Sequence, residues 1–221
     1  MKKGVILFHK NIDKIYKTRW INKSVNSMIN QTDNDFIFYE INYGGEENSV
    51  IPNNCGIKKF FWSEKLINYA EAMNFILDKA FNDGCNYVFN TNLDDFYSTN
   101  RVSLQIEKIV NDDLDILSSD FCYIEEKDIS GTNDDAIIRF MNIEKTNIKE
   151  HLERRHNVIA HPSVCYNKRF WGDSENRYDI TKTPEEDLDL WIRAIRRGYK
   201  FGVHNDVLLY YRIHKNQVSN K

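Results

Sequence analysis

Two adjacent carboxylates, Asp94 and Asp95, closely follow the short apolar run Tyr87–Phe89 in this 221-residue chain. Such a run, ending in clustered Asp and Asn, predicts acidic groups at the carboxyl end of a β-strand, the edge at which open α/β sheets bind ligands. Paired carboxylates there can hold a hard divalent cation, and the cation can in turn bind a phosphate. A solvated, Asp-rich turn explains the same residues, so the rest of the sequence has to decide between the two interpretations.

The composition restricts the class of protein. Apolar residues make up 41% of the chain and the formal net charge is −3, which suits one globular domain and gives no overall electrostatic reason to expect nucleic-acid binding. The four cysteines are scattered, without the spacing of a zinc site or the density of a disulfide scaffold. We therefore expect reduced thiols and a cytoplasmic protein. The first apolar run, Val5–Phe8, is too short for a membrane span.

Strands and helices alternate along the first 120 residues. The apolar periodicity predicts a strand at 4–8, a helix over about 17–30, a strand at 36–41, a helix that begins near Ser63 and stops near Gly84, a strand from Tyr87, a helix over about 100–110 and a strand at 114–118. This β-α-β alternation predicts an α/β fold with a mostly parallel sheet that helices cover on both faces.

The second part of the chain is less regular. Residues 122–156 are rich in charges and are expected to form an irregular, exposed excursion that could reach over a site. The run Thr183-Pro184-Glu185-Glu186 has the pattern of a helix start, with Thr183 as N-cap and Glu186 at the third helical position. Gly198 is expected to end that helix. Two short strands, 199–203 and 207–211, are predicted to follow it.

Four motifs, in this order, resemble those of the family 2 glycosyltransferases of the GT-A fold. They are Asp94-Asp95-Phe96-Tyr97, His161-Pro162-Ser163-Val164, Glu186–Arg193 and Tyr210–Ser219, and the resemblance covers most of the chain. It implies a single GT-A domain over residues 1–221, a Rossmann-like three-layer α/β/α sandwich with a mostly parallel, mixed central sheet. Residues 1–120 would bind the nucleotide sugar, and residues 121–221 would bind the acceptor and supply the catalytic base.

The resemblance implies a metal-dependent donor site at the strand ends. Asp94, Asp95 and His214 would hold Mn²⁺ or Mg²⁺, which offsets the negative charge that develops on a departing nucleoside diphosphate. Because uridine is frequent in the family, the expected donor is a UDP-sugar. The other residues expected to bind this donor are Asn92, His161, Arg212, Asn42, Tyr43 and His9.

Each of three donor-site candidates also has a purely structural interpretation. His214 could be a surface histidine in a polar tail, and Arg212 could pair with a neighbouring acid instead of a diphosphate. His161 could be a buried, hydrogen-bonded histidine. The sequence leaves these alternatives open.

The resemblance also implies that the general base is Glu186 or Asp187. A carboxylate that takes the proton from an acceptor hydroxyl, as that hydroxyl attacks the anomeric carbon, supports an inverting transfer. Asp187 is our choice, since Glu186 could serve only to cap the helix, although Asp187 could serve only the helix dipole. The acceptor would be a hydroxyl of a glycan, lipid or protein. We expect Trp171 beside that acceptor and Trp191 in the core.

Two departures from the family pattern keep other functions open. Asn92 stands at the first Asp of the usual Asp-x-Asp-Asp, and Asn42-Tyr43 replaces the acidic pair that usually ends the second strand. A nucleotidyltransferase with a related sheet is one alternative, although residues 9–13 lack the glycine-rich loop that holds a triphosphate. A non-catalytic sugar-binding module on a decayed transferase fold is the other, and Asn92 is its main support.

Overall fold

The computed structural model describes residues 1–127, 134–141 and 145–215. Within these ranges nine strands form one sheet. The strands are β1 Lys3–His9, β2 Ile37–Asn42, β3 Lys59–Ser63, β4 Tyr87–Thr91, β5 Phe96–Tyr97, β6 Ile116–Lys127, β7 Asp134–Met141, β8 Cys165–Asn167 and β9 Phe201–Arg212. The helices are α1 Ile12–Ile15, α2 Thr18–Ile29, α3 Tyr69–Asn82, α4 Arg101–Asn111, α5 Ile148–Glu153, α6 Lys168–Trp171 and α7 Glu186–Arg196.

The sheet is mixed but mostly parallel. Its order is β3-β2-β1-β4-β8-β6-β9-β5, with β7 paired to β6. Strands β1 to β4 run parallel to one another, and so do β6 and β9, whereas β5, β7 and β8 pair antiparallel with their neighbours. The structure therefore confirms the predicted mostly parallel, mixed sheet.

The register brings the carboxyl ends of the first strands to one edge. His9 of β1 pairs with Asn42 of β2, and Leu7 of β1 pairs with Thr91 of β4. The chain leaves β4 two residues short of the end of β1, so the segment from Asn92 onward continues along the same edge. This placement agrees with the rule that ligands of open α/β sheets bind at the carboxyl ends of the strands.

Helices cover both faces of the sheet, as the alternation predicted. Side chains of a strand alternate between its two faces. Ile6 and Phe8 of β1 accordingly pack in the same buried cluster as α3 and α7, whereas Val5 and Leu7 pack in the clusters that contain residues of α2 and α4. The core is thus two apolar layers on either side of one sheet. Among the described helices, none combines the length and apolar character needed to cross a membrane.

The predicted start of α3 was wrong. Ser63 is the last residue of β3, and α3 begins at Tyr69 with Asn68 as its N-cap. The side chain of Asn68 accepts a hydrogen bond from the backbone N–H of Glu71 at 3.1 Å, and the Glu71 carboxylate accepts one from the backbone N–H of Ile67 at 2.6 Å. This reciprocal pair fixes the helix start, and the aromatic run before Ser63 forms a third parallel strand instead.

Three predictions for the second half were also wrong. The described part of 122–156 is largely regular, because β6 and β7 form an antiparallel hairpin there. The last two predicted strands are one strand, β9, whose pairing with β6 shifts register near Asp120. Helix α7 begins at Glu186 with Glu185 at the N-cap, not with Thr183, and no side chain caps it. Its acidic first turn, from Glu186 to Asp189, stabilises the helix start through the helix dipole instead.

Candidate active site

The segment that carries Asn92, Asp94 and Asp95 is held by hydrogen bonds to neighbouring elements. The Ser24 hydroxyl on α2 donates to the carbonyl oxygen of Asn92 at 2.7 Å. The backbone N–H of Asn92 donates to the hydroxyl oxygen of Tyr97 at 2.7 Å, and the backbone N–H of Tyr97 donates to the Ser27 hydroxyl at 3.1 Å. The acidic segment therefore has a fixed backbone before any ligand arrives.

Asp94 and His214 meet although 120 positions separate them in the sequence. The Asp94 carboxylate oxygen Oδ2 lies 2.9 Å from His214 Nε2. The imidazole also lies against the indole of Trp20 on α2, with ring centroids 5.0 Å apart. Both side chains are mostly but not completely enclosed. The strand that ends at Arg212 thus carries the predicted histidine back to the predicted carboxylate.

Asp95 is turned away from this pair and into the protein. It is only 1% exposed, and its Oδ1 accepts a hydrogen bond from the backbone N–H of Arg212 at 2.9 Å. Its Oδ2 accepts one from the side-chain amide of Asn92 at 3.4 Å. Burial, and after it the neighbouring Asp94 charge, raise the pKa of Asp95 well above its usual range. Asp95 therefore connects the acidic segment to β9, and its predicted contact with a metal stays a prediction.

Arg212 pairs with an acid, as one of the two interpretations of the sequence expected. Its guanidinium is buried, donates to the Asp94 carbonyl oxygen at 2.8 Å and forms a bidentate ion pair with Asp135. Burial opposes ionisation of Asp135, but hydrogen bonds from Arg212 and Lys23 outweigh it and lower the pKa of Asp135. Asp135 lies in the charge-rich segment 122–156. Sequence reasoning missed its pairing with Arg212.

The ends of β1 and β2 hold the three other candidates from the first half. His9 Nε2 lies 2.9 Å from the Glu40 carboxylate, and both side chains are fully buried. The Asn42 side chain accepts a hydrogen bond from the backbone N–H of Gly44 at 2.9 Å, which closes a turn. The Tyr43 ring has the Lys10 ammonium 4.8 Å from its centroid. Of these residues, only Tyr43 is partly exposed, so it is the one that can face a ligand without rearrangement.

Tyr16, a residue that the sequence did not single out, packs against the apolar cluster that contains Leu93 of the acidic segment. Burial raises its pKa well above the usual range, and the charge of Asp94 adds to the effect. Burial and the charge of Glu186 likewise raise the pKa of Tyr43 to about 12. Tyr43 also contributes to the raised pKa of Tyr16. Tyr16 therefore lies within electrostatic range of the acidic segment, and Tyr43 lies within electrostatic range of the start of α7.

Asp187 and Glu186 begin α7 and have different surroundings. One Asp187 oxygen accepts a hydrogen bond from the Asn157 amide at 3.0 Å, and the other accepts one from the backbone N–H of Leu188 at 2.7 Å. Glu186 is only 7% exposed, and its Oε2 has no hydrogen-bond partner in the described part of the chain. Burial raises the pKa of Glu186. Asp187 remains partly accessible to a substrate.

His161 lies at the centre of an aromatic cluster next to Asp187. Its Nδ1 is 3.3 Å from the Tyr69 hydroxyl, and its Nε2 is 2.8 Å from the Tyr178 hydroxyl and 3.2 Å from that of Tyr166. Burial lowers the pKa of His161, an effect that the charge of Asp187 partly offsets. The imidazole is therefore held neutral near physiological pH, with both nitrogens bonded to protein hydroxyls.

Trp171 and Trp191 both lie in the core. Trp191 is fully buried, as predicted. Trp171 is only 2% exposed, and its indole N–H donates to Asp78 at 2.8 Å. The expectation that Trp171 would stand beside an acceptor was wrong. The short helix α6 turns it inward, where it stacks on Phe81.

The chain is similar to one curated glycosyltransferase sequence. An uncharacterized glycosyltransferase of Methanocaldococcus jannaschii is 27% identical over 205 residues, which are 88% of this chain and 66% of the relative. This chain therefore spans just under two thirds of that relative's length. No protein-family model matches the chain.

Solved structures share the fold at low sequence identity. Residues 1–349 of S. aureus TarS, in complex with UDP-GlcNAc, match with a TM-score of 0.69 and 15% identity over 100% of this chain and 61% of that one. A mannosyltransferase from Pyrobaculum calidifontis, in complex with GDP-Man and Mn²⁺, matches with a TM-score of 0.64 and 9% identity over 96% of this chain and 57% of that one. The predicted GT-A fold class is confirmed. The predicted enzyme class, glycosyltransferase, agrees with the names of the relative and of the mannosyltransferase.

Proposed function

We propose that this chain is a family 2 glycosyltransferase that moves a sugar from a nucleotide-diphosphate donor to an acceptor hydroxyl, with inversion. The observation that carries the proposal is the pairing of Asp94 with His214 at the carboxyl edge of a GT-A sheet. A carboxylate and an imidazole placed at this edge are suited to a cation and the diphosphate bound to it.

The Asp94–His214 pair fits a divalent cation such as Mn²⁺ or Mg²⁺. Neighbouring ligands of an octahedral ion, each at about 2.1 Å from it, lie about 3 Å apart, and Asp94 Oδ2 and His214 Nε2 are 2.9 Å apart. The described residues offer no group of three or more His, Cys, Asp or Glu side chains around one point, so diphosphate oxygens and water would complete the shell. A bound cation would offset the charge on the leaving diphosphate.

Asp187 is the residue we assign as general base. Its carboxylate is partly accessible, and two donors, the Asn157 amide and the Leu188 N–H, orient it. An oriented carboxylate can take the proton of an acceptor hydroxyl while that oxygen attacks the anomeric carbon. Glu186, buried next to it with a raised pKa, is less suited because a base has to be ionised and within reach of the acceptor.

We assign the nucleobase side of the donor site to Tyr43. The ring is partly exposed at the end of β2, and Lys10 above it adds positive charge. An aromatic face can stack on any base, so the ring alone selects no particular nucleotide. UDP-sugars and GDP-mannose both occur with proteins of this fold. We retain a UDP-sugar as the proposed donor, and a glycan, lipid or protein hydroxyl as the acceptor.

A binding screen separates this proposal from its alternatives. Thermal shift of the full chain with UDP, GDP, UDP-sugars and ATP, each with and without Mn²⁺, reports binding because a ligand of the native state raises Tm. We expect a nucleoside diphosphate to raise Tm only with Mn²⁺. A response to ATP alone would favour a nucleotidyltransferase. Binding of a UDP-sugar without hydrolysis or transfer would favour a non-catalytic module. No response to any nucleotide would refute the proposal.

A further inference from the structure

Arg101, the first residue of α4, is a buried cation behind the acidic segment. It is fully buried, and its guanidinium donates to the carbonyl oxygen of Asn90 on β4 at 2.9 Å and to the Gln105 side chain at 2.9 Å. The same group lies over the Tyr97 ring, 4.4 Å from its centroid. All of these partners are uncharged at neutral pH.

Arg101 thus lacks an ordinary counter-ion. In the described part of the chain no carboxylate lies within salt-bridge distance of it, and its Nη1 has no hydrogen-bond partner. Burial accordingly lowers the pKa of Arg101, although an arginine stays ionised at neutral pH. Burying a cation without a paired anion destabilises a fold strongly. Its contribution to stability therefore does not explain the burial of Arg101.

Tyr97 connects this cation to the acidic segment. Its hydroxyl oxygen accepts the hydrogen bond from the backbone N–H of Asn92 at 2.7 Å, while the Arg101 guanidinium lies over the face of its ring. Burial raises the pKa of Tyr97, the charge of Asp95 raises it further, and the charge of Arg101 opposes that effect. Tyr97 therefore contacts both the Arg101 guanidinium and the backbone of the acidic segment, within the electrostatic range of Asp94 and Asp95.

We propose that Arg101 is a positioning residue of the donor site: acting through Tyr97 and the β4 carbonyl, it fixes the Asn92–Asp95 segment and supplies positive potential behind the diphosphate. This inference rests on the proposed donor site. The Gln105 side chain extends the same support, since its amide donates to the carbonyl oxygen of Ser163 at 2.8 Å, next to the His161 segment. The Arg101–Gln105 pair therefore holds two backbone carbonyls, that of Asn90 before the acidic segment and that of Ser163 next to His161.

The expected size of the effect follows from charge and distance. The contacts through Tyr97 place the guanidinium within about 10 Å of the acidic segment, where one unit charge changes the binding constant of another by about tenfold at an effective dielectric constant of about 20. Arg101→Gln should therefore weaken the binding of UDP with Mn²⁺ about tenfold. Arg101→Lys should recover only part of that loss, because a lysine buried without a counter-ion readily loses its proton.

Calorimetric titration of each variant with UDP and Mn²⁺, together with its Tm, tests the inference. Ile109→Ala is the matched control, because Ile109 is buried on the same helix but packs only in the apolar layer. It should lower Tm and leave the UDP Kd within about twofold. The inference is overturned if Arg101→Gln binds UDP as tightly as the parent, or loses no more affinity than Ile109→Ala does at a similar loss of Tm.

Two further outcomes have a defined meaning. If Arg101→Gln does not fold, Tyr97→Phe takes its place, because it removes only the hydroxyl that holds Asn92. It should weaken UDP binding at least threefold with a small change in Tm, and an unchanged Kd would refute the inference. If the parent itself binds no nucleotide, both the donor site and this role of Arg101 are refuted. If the parent binds and the variants match it, only the role of Arg101 is.

Discussion

The candidate site contains two pairs of sequence-adjacent carboxylates, Asp94–Asp95 and Glu186–Asp187, and each pair has one buried and one partly exposed member. The buried members differ in their partners. Both oxygens of Asp95 accept hydrogen bonds, from the Arg212 backbone and from Asn92, whereas Glu186 Oε2 accepts none from the described residues. The first pair is therefore fixed on both sides by the fold, while the second retains an unused acceptor. Under the proposed function, the fixed first pair would hold the cation, and in the second pair the proposed base is Asp187, which the Asn157 amide and the Leu188 N–H orient.

The largest expected effect is at Asp187. Asp187→Asn is nearly isosteric and keeps an oxygen that can accept from Leu188, so folding and donor binding should persist. The change removes the proton acceptor, and loss of a general base typically lowers the rate about 10²–10⁴-fold. The rate of sugar transfer, or of slow hydrolysis of the donor, should fall by this factor, while the donor Kd should change little. Turnover and calorimetric Kd, measured on the same preparation, check both expectations: the loss of rate and the unchanged donor affinity.

A control on the same helix makes this test specific. Asp189 is also in the first turn of α7, but it is engaged with Arg193 in an i, i+4 ion pair. Asp189→Asn should therefore leave turnover close to that of the parent. Comparable turnover by Asp187→Asn would remove the base assignment from Asp187 and direct attention to Glu186.

The next effect concerns the first pair. Asp94→Ala should abolish the Mn²⁺ dependence of nucleotide binding and weaken that binding by at least the roughly 10–100-fold that even an outer partner of a metal ligand contributes. The reason is that His214 alone would then remain to hold the cation. Titration with UDP at several Mn²⁺ concentrations measures it, with Asp112→Ala, an exposed residue, as control. Metal-dependent binding that survives in Asp94→Ala would contradict the metal assignment.

A smaller effect is expected on stability at Asp95. Asp95→Leu removes the acceptor of the Arg212 backbone N–H, and a buried donor left unpaired typically costs about 1–3 kcal/mol. Denaturant unfolding should show that loss, whereas Asp95→Asn, which keeps an oxygen in place, should retain most of the stability. If Asp95→Leu were as stable as the parent, the picture of Asp95 as the link between the acidic segment and β9 would be wrong.

The sequence predicted the features that follow from hydrophobic periodicity and from the order of strands and helices along the chain. Strand ends gather polar residues because parallel strands share an edge, so His9, Asn42 and Asp94 were expected at one edge, and they lie there. The acidic start of α7 was likewise visible, although its N-cap was placed two residues too early. The β3 strand was missed because Ser63 and Asn68 are both good N-cap residues, and only the pairing of β3 with β2 decides between them.

Long-range pairs among charged residues could not be predicted. Arg212 meets Asp135 across 77 positions and His9 meets Glu40 across 31, and nothing in local pattern distinguishes either acid from a solvated one. Tyr16 has no motif around it, and it comes close to the acidic segment only through its packing against the apolar cluster of Leu7, Ile12 and Leu93. Arg101 lies in an ordinary amphipathic helix. Its burial is a result of the assembled fold.

The smallest expected effect distinguishes the buried acids by their response to pH. Burial raises the pKa of Glu186 in the folded protein, so the folded state binds a proton that the unfolded chain has already released. This contribution to stability is fully present below the ordinary glutamate pKa and is lost as the pH rises through the raised folded value. Glutamine cannot ionise, so Tm of Glu186→Gln should fall less than that of the parent between about pH 4 and pH 8.

Asp95, whose pKa is raised in the same direction, is present in both proteins, and the difference between the two Tm curves therefore isolates Glu186. Glu185→Gln, at an exposed neighbour, should follow the parent curve. If the Glu186→Gln and parent curves ran parallel, the Glu186 carboxylate would have to meet a hydrogen-bond donor or solvent in the folded protein, and the contrast between the two acidic pairs would disappear.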